Sequence, residues 1–514
     1  MCVVSLPGLL LGQERSCAIR QASTGTAAQE LVGIDTVIVL YDPFTVLCSD
    51  GAELRANSGR AIRAIGEINL VGNVFFQDST RSLTADQATY SRVTGRLYAT
   101  GNVAFENRTD GSTLRGPELE YFRVMEGREL AEVNATQRPT LTLPPPEDSA
   151  DTEPLELVGD RVVIIGEDDL SAYGRVIITR TDLDARAEEA RYNSASEDLE
   201  LRQNAVVVSE EYRLAGAVIQ ASLAEGELDH VVSRTGATLD SEEYRLAGDE
   251  IEATLTAGAI EHVVTRTNAS MAGEDLEVQG EDLQLFFSSE LLQRVVATNS
   301  GEDKKSSAVS RTFRLDADSL DAQFVDQQLE VVYAIGDARG ATIDTTSTAQ
   351  PDSASGAAPA DSLELPGTAA DSLPAESTEL PGVLASDWIR GDTIIGYFEP
   401  VPEDSAAAVP RLEPAGSVSA DDAEAPEVEI RRLVAIGSAQ SLYRMTPTDP
   451  ERATAGKDIN FLVGDRIELE LEVGELSVAN VSGLQHGVFL EAAAPAPPGG
   501  AEQSGATDPP ASDR

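Results

Sequence analysis

Basic residues are scarce in this chain. Against 88 Asp and Glu stand 38 Lys and Arg, a formal charge of −50, and only Lys304, Lys305 and Lys457 are lysines. Nucleic acid is excluded as a partner, because a phosphate-binding surface needs clustered cations and the sequence has no such run. Three cysteines exclude a disulfide scaffold and a Cys-rich metal site. Cys17 and Cys48 fit either a disulfide in an oxidising compartment or two free thiols. Aromatics make up 5% and histidines number three. No apolar run reaches the roughly 18 residues of a spanning helix. Val3 to Leu11 has the hydropathy of a secretory leader, but it lacks a basic flank and is interrupted by Pro7 and Gly8. Glu14, Arg15 and Ser16 before Cys17 do not make a lipobox. Residues 1–30 are therefore expected to be signal-like or disordered.

What the chain has is a repeat. The pattern apolar–x–small–(acidic or polar) recurs as Leu54-Arg-Ala-Asn57, Leu83-Thr-Ala-Asp86, Leu114-Arg-Gly-Pro117 and Leu157-Val-Gly-Asp160. It continues as Leu183-Asp-Ala-Arg186, Leu214-Ala-Gly-Ala217, Leu246-Ala-Gly-Asp249, Val278-Gln-Gly-Glu281 and Leu315-Asp-Ala-Asp318. The last copies are Ile389-Arg-Gly-Asp392 and Leu462-Val-Gly-Asp465. The segment EEYRLAG…GELDHVVSRTGATL returns 32 residues later as EEYRLAG…GAIEHVVTRTNASM. Periods of this size mark repeat architectures.

Each copy reads as a strand, a tight turn and a second strand. Ile467, Leu469 and Leu471 alternate with Glu468, Glu470 and Glu472, a period of two. Turn chemistry recurs at Thr94-Gly95, Glu126-Gly127, Asp168-Asp169, Glu225-Gly226, Ala257-Gly258 and Val473-Gly474. Leu183 to Ala195 is Ala-rich enough to pass for helix, yet it occupies a strand position of the repeat. The expected fold is all-β: an elongated, repetitive β-jellyroll or solenoid-like array of stacked hairpins, roughly 100 Å long at about 4.8 Å per strand. Repeats fill 31–143, 155–340, 387–399 and 428–491. A Pro- and acid-rich linker at 144–154, insertions at 341–386 and 400–427 and a tail at 492–514 have compositions that cannot build a core and are expected to be disordered.

Gly-Asn-Val followed by an aromatic occurs twice, in Leu70-Val-Gly-Asn-Val-Phe-Phe76 and Ala99-Thr-Gly-Asn-Val-Ala-Phe105, joined by RSLTADQATYSRVTGRLYATGNV. These residues resemble the organic-solvent-tolerance (OstA-like) family, whose domain is shared by lipopolysaccharide transport protein A and the N-terminal domain of the lipopolysaccharide assembly protein. The likeness is clearest over about Leu54 to Tyr121. It implies a β-jellyroll with an apolar interior that shields acyl chains, a periplasmic or envelope location, and edge-to-edge strand addition to other β-jellyroll transport proteins. The implied cargo is lipid A or another acyl-chain lipid. The chain departs from the family in its length, its internal acidic insertions and the lack of a barrel after the repeats.

Catalytic constellations are missing and no cofactor is expected. His230 and His262 occupy the same slot in adjacent copies. They would lie nearly 10 Å apart in one sheet, or about 4.8 Å apart if their arms fell in opposite sheets. Duplication explains them without a metal. Asp316, Asp318 and Asp321 lack the glycine of a calcium loop. The working residues expected of a lipid groove are the inward apolar ones: Leu97, Val103, Phe105, Ile251, Leu255, Ile467, Leu469 and Leu471. The reading is of a non-enzymatic lipid-transport or outer-membrane assembly protein. Its rivals are a polysaccharide-binding or polysaccharide-active β-solenoid, against which the low aromatic content argues, and a purely structural envelope array with a sealed core.

Overall fold

A computed structural model describes residues 17–491 except 22–26, 33–34, 41–42, 49–50, 63, 146–153, 182, 210, 225–226, 257–258, 274–275, 302–303, 344–386, 401–427, 446, 448–456 and 473–474. The all-β class expected from the alternation is what the structure has, with 32 strands and no helix among the described residues. The chain divides into two compact units, residues 1–273 with 282–290, and residues 274–281 with 291–514. The division runs through the strand Glu277–Ser288.

In much of the first unit a strand pairs antiparallel with the next in sequence. Arg81–Ser91 pairs with Arg96–Asn107, which pairs with Thr113–Phe122. The run from Asp169 to Gly273 follows the same rule through seven successive strands. Strand connections are short because neighbours in sequence are neighbours in space, as the turn residues indicate. Arg92–Gly95 and Met125–Arg128 are tight turns as expected. The turns at 225–226, 257–258 and 473–474 lie outside the described residues, but the residues flanking them pair directly: Ala224 with Glu227, Thr256 with Ala259, and Glu472 with Glu475.

The repeated motif sits in mid-strand, where the ladder slips. Between Arg81–Ser91 and Arg96–Asn107 the register shifts from Thr84 to Gln87, opposite Gly101 and Asn102 at φ of +76° and +46°. Two left-handed residues on one strand against a small residue and an acid on its neighbour make a β-bulge, which bends both strands. Asp86 accepts a hydrogen bond from Asn102 Nδ2 at 2.8 Å. The arrangement recurs at Gly174-Arg175, where Arg175 donates to the Asp160 carboxylate at 2.7 Å. One copy is out of register in the sequence reading: the bend falls between Arg186 and Glu189, Ala185 and Ala187 are the buried pair, and Glu188 accepts from the Arg175 N–H. The motif there is Ala185–Glu188, hidden because alanine replaces the usual leucine.

The bends fold each strand over. Tyr121 pairs with Leu97, and Phe105 lies eight residues further along the strand, about 26 Å away were that strand straight. Yet the Phe105 and Tyr121 ring centroids are 6.4 Å apart. The second unit gives the same result. Ala341 pairs with Trp388, Phe313 with Thr342, and Phe398 with Ile430, yet Phe313 and Phe398 are 5.0 Å apart. Each unit is thus a meander of bent strands whose two halves face each other across an apolar interior. Leu97, Ala99, Val103 and Phe105 show how the inward period of two runs through a bend.

Strands also occupy parts of segments that composition marks as irregular. Cys17–Gln21 and Ala27–Val32 pair with Phe44–Cys48 and Asp35–Leu40 within and beside the first thirty residues. Ala341 and Thr342 close the strand Gln328–Thr342, and Pro400 ends Trp388–Pro400. The cores of the insertions and the tail lie outside the described residues. Pro400 opposite Val428 and Ala341 opposite Trp388 place the two long insertions at strand connections. The backbone register sets Cys17 opposite Cys48, and opposed antiparallel residues have the Cα spacing a cross-strand disulfide requires.

Burial also sets a pH response. Tyr443 is 3% exposed and desolvation holds its phenol far above the ordinary value. Burial likewise pushes Tyr244 up to about 12. Below pH 10 both phenols are neutral whether the chain is folded or not, so their contribution is intact. Above pH 10 the unfolded chain releases protons that the folded one keeps, and stability falls. Urea midpoints are expected to drop between pH 10 and 12, and Tyr244→Phe should shallow that slope.

Candidate functional site

The eight inward residues expected from the sequence are all buried, none more than 6% exposed. Leu97, Val103 and Phe105 on Arg96–Asn107, with Ile251 and Leu255 on Tyr244–Thr256, line the interior of the first unit. Ile467, Leu469 and Leu471 on Asp458–Glu472 line that of the second. Five of the eight thus belong to the first unit and three to the second. Phe105 also lines a cleft.

That cleft, about 90 Å³, opens where the strand ends of the first unit face each other. One wall comes from Phe105, Leu114, Leu141 and Leu143, the other from Val133, Ile164, Leu170 and Tyr192. The first wall lies on strands Arg96–Asn107, Thr113–Phe122 and Thr140–Leu143, the second on Glu132–Thr136, Arg161–Ile165, Asp169–Arg180 and Leu183–Asn193. Arg81 stands at the rim and donates through its guanidinium to the Tyr121 hydroxyl at 2.7 Å. Burial raises the Tyr121 phenol, so at neutral pH it is a hydrogen-bonding group. The remaining rim is acidic and locally tied. Asp110 accepts from the Ser112 N–H at 2.8 Å, Asp168 from Ser194 Oγ at 3.2 Å, and Asp169 from Asn193 at 2.7 Å. An apolar cleft with a narrow polar lip can hold hydrocarbon and fix a polar head at its mouth.

Arg81 and Tyr121 escape sequence reasoning because they are forty residues apart and only the bend joins them. Leu141 and Leu143 had a signal, the alternation in Thr140-Leu-Thr-Leu143.

The histidines take the one-sheet arrangement. His230 and His262 both pair with Thr254, from opposite sides, so they lie two strands apart on one face. His230 shares a 2.9 Å hydrogen bond with Glu252, whereas His262 stacks on Phe286 with centroids 4.6 Å apart. No group of metal-ligating side chains occurs among the described residues. Asp316, Asp318 and Asp321 each have their own cation, respectively Arg314 at 2.9 Å, Lys305 at 2.5 Å and Arg294 at 2.6 Å. Such exposed pairs contribute little stability.

What the folded meander defines is a β protein with an apolar space between facing half-sheets. No family model matches the chain, and no curated protein matches it. Among solved structures it is similar to LptH, described as the LptA homologous periplasmic component of the conserved lipopolysaccharide transport device from Pseudomonas aeruginosa. The alignment covers 25% of this chain and 94% of that one, at 15% identity and a TM-score of 0.22. At that score the likeness carries neither function nor partners to this chain. No helix among the described residues is long and apolar enough to cross a membrane.

Proposed function

We propose that the protein is a non-enzymatic, envelope-associated lipid-handling protein of the lipopolysaccharide-transport or outer-membrane assembly type, which shields acyl chains between its facing half-sheets. The apolar cleft bounded by Phe105, Leu141, Leu143 and Leu170, beneath a lip that includes Arg81, carries this reading. At about 90 Å³ the cleft holds only a few methylene groups, so a longer chain enters by parting the two walls. Lipid A or a related acyl-chain lipid fits, with its anionic head outside near Arg81 and away from the acidic face. The edge strand His486–Leu490 supports strand addition by a second β protein: it pairs with Asp458–Glu472, and Phe489 and Leu490 are more than half exposed.

The test is the acyl lipid that copurifies with the full chain. Leu143→Asp, on the cleft wall, is expected to lower it about tenfold, since an unpaired carboxylate among hydrocarbon costs at least 1.4 kcal/mol of binding. Thr142→Asp, the adjacent residue, should leave it unchanged. Equal yields from both variants would refute the groove. A sealed structural array is the second reading, and the near-complete burial of all eight lining residues favours it. That array would copurify with no lipid at all.

A further inference from the structure

Cations in this chain are outnumbered more than two to one, yet residues 51–130 hold ten Arg against ten Asp and Glu. Three of those arginines meet on one rim of the first unit. Successive turns of the meander adjoin there: the Arg92 N–H donates to the Gly66 carbonyl at 2.9 Å, and the Arg123 N–H to the Gly95 carbonyl at 3.1 Å. Arg128 ties the second turn to the third, donating to the Thr94 carbonyl at 3.1 Å, and lies 4.8 Å from the Phe122 ring centroid. Among the described residues none of Arg92, Arg123 and Arg128 has a carboxylate partner, and the Nε of Arg123, itself buried, has no hydrogen-bond partner. Arg96, just behind them, is paired with Glu120. With 88 acids in the chain, three adjacent cations left without one are a distinct surface.

The same turns expose hydrocarbon at their tips. Ile65, Val93, Val124 and Leu130 are 51%, 67%, 57% and 53% exposed. Exposed apolar side chains gathered on one edge mark an interaction site, whereas scattered ones do not. The patch contains Glu126 and Glu129, and it ends at the next turn, where Glu167 and Asp168 begin the acidic lip of the cleft.

We infer that this rim docks on an anionic lipid bilayer, its apolar tips entering the headgroup layer and its arginines meeting lipid phosphates. Apolar tips with unpaired arginines beside them match the two forces that hold a protein to a bilayer surface, buried hydrocarbon and attraction to anionic lipid. A soluble anion would engage the arginines and leave the tips in water. The rest of this acidic chain is repelled by the same surface, but charges beyond about 8 Å are screened at physiological salt. Contact is thereby confined to the rim. The inference does not need an occupied cleft, although Gly166 N–H donating to the Ala131 carbonyl joins the rim to the cleft wall.

The test is flotation of the full chain with vesicles of phosphatidylcholine alone or with one-third phosphatidylglycerol. The chain should float with the anionic vesicles only, and less at high salt. Arg92→Gln, Arg123→Gln and Arg128→Gln together should weaken the partition roughly a hundredfold, at about fivefold per cation. Val93→Ser and Val124→Ser, which touch no core, should each weaken it several-fold without changing the circular dichroism. The inference is overturned if the chain stays with the soluble fraction. It is also overturned if the serine variants float as well as the parent, or if inorganic phosphate at millimolar concentration competes fully, which marks a soluble-anion site. None of these outcomes depends on copurified lipid, so this inference and the cargo reading stand or fall separately.

Discussion

Leu469→Ala is expected to destabilise the second unit by about 3 kcal/mol, and Glu470→Ala, one residue on, by less than about 0.5 kcal/mol. Leu469 is fully buried opposite Leu433, itself 4% exposed. Deleting such a side chain removes its transfer free energy and leaves a cavity, a loss of about 2–5 kcal/mol. Glu470 faces solvent from the same strand, and the Ser477 hydroxyl bonds its backbone carbonyl, which the substitution keeps. Trp388 is the one tryptophan of the chain and lies in this unit, with its ring 6.3 Å from Phe461. Its fluorescence in urea therefore reports this unit alone, which matters because two units need not melt together. Similar midpoints for the two variants would mean that the alternation does not separate inside from outside.

The second large effect is at the bend. Gly101→Val is expected to cost about 3 kcal/mol or more. Its φ of +76° is a conformation that β-branched residues rarely adopt, and a Cβ there would stand 2.5 Å from the Asp86 carboxylate. Adding Asp86→Ala removes the collision and leaves the dihedral cost, so the double variant should recover part of the loss. Amide exchange in Arg81–Ser91 and Arg96–Asn107 measures it locally. Gly174, at φ +73° over Asp160, should behave alike. A silent Gly101→Val would mean that the bend is not held by this pairing.

The alternation was legible because one buried face forces a period of two, and Ile467, Leu469 and Leu471 between glutamates leave no second solution. The repeated acid was visible as a pattern but not as a bend, since the glycine it lies over comes about fifteen residues later on the neighbouring strand. The copy at Ala185–Glu188 was misaligned because its landmark leucine is absent. The division into two units has no mark in the sequence: the repeat passes through it at Val278–Glu281 within a single strand. The cleft and the arginine rim were both invisible for a common reason. Arg81 and Tyr121, like Thr94 and Arg128, meet only when folded strands or successive turns are laid side by side.

Whether hydrocarbon occupies the interior is tested most directly by a photoreactive phenylalanine placed at Phe105 and, separately, at Glu106. The two positions are adjacent on one strand, the first against the cleft and the second in solvent. Illumination of the full chain with its copurifying lipid should attach acyl lipid at position 105 and not at 106. Attachment at both, or at neither, contradicts an acyl chain held between the half-sheets.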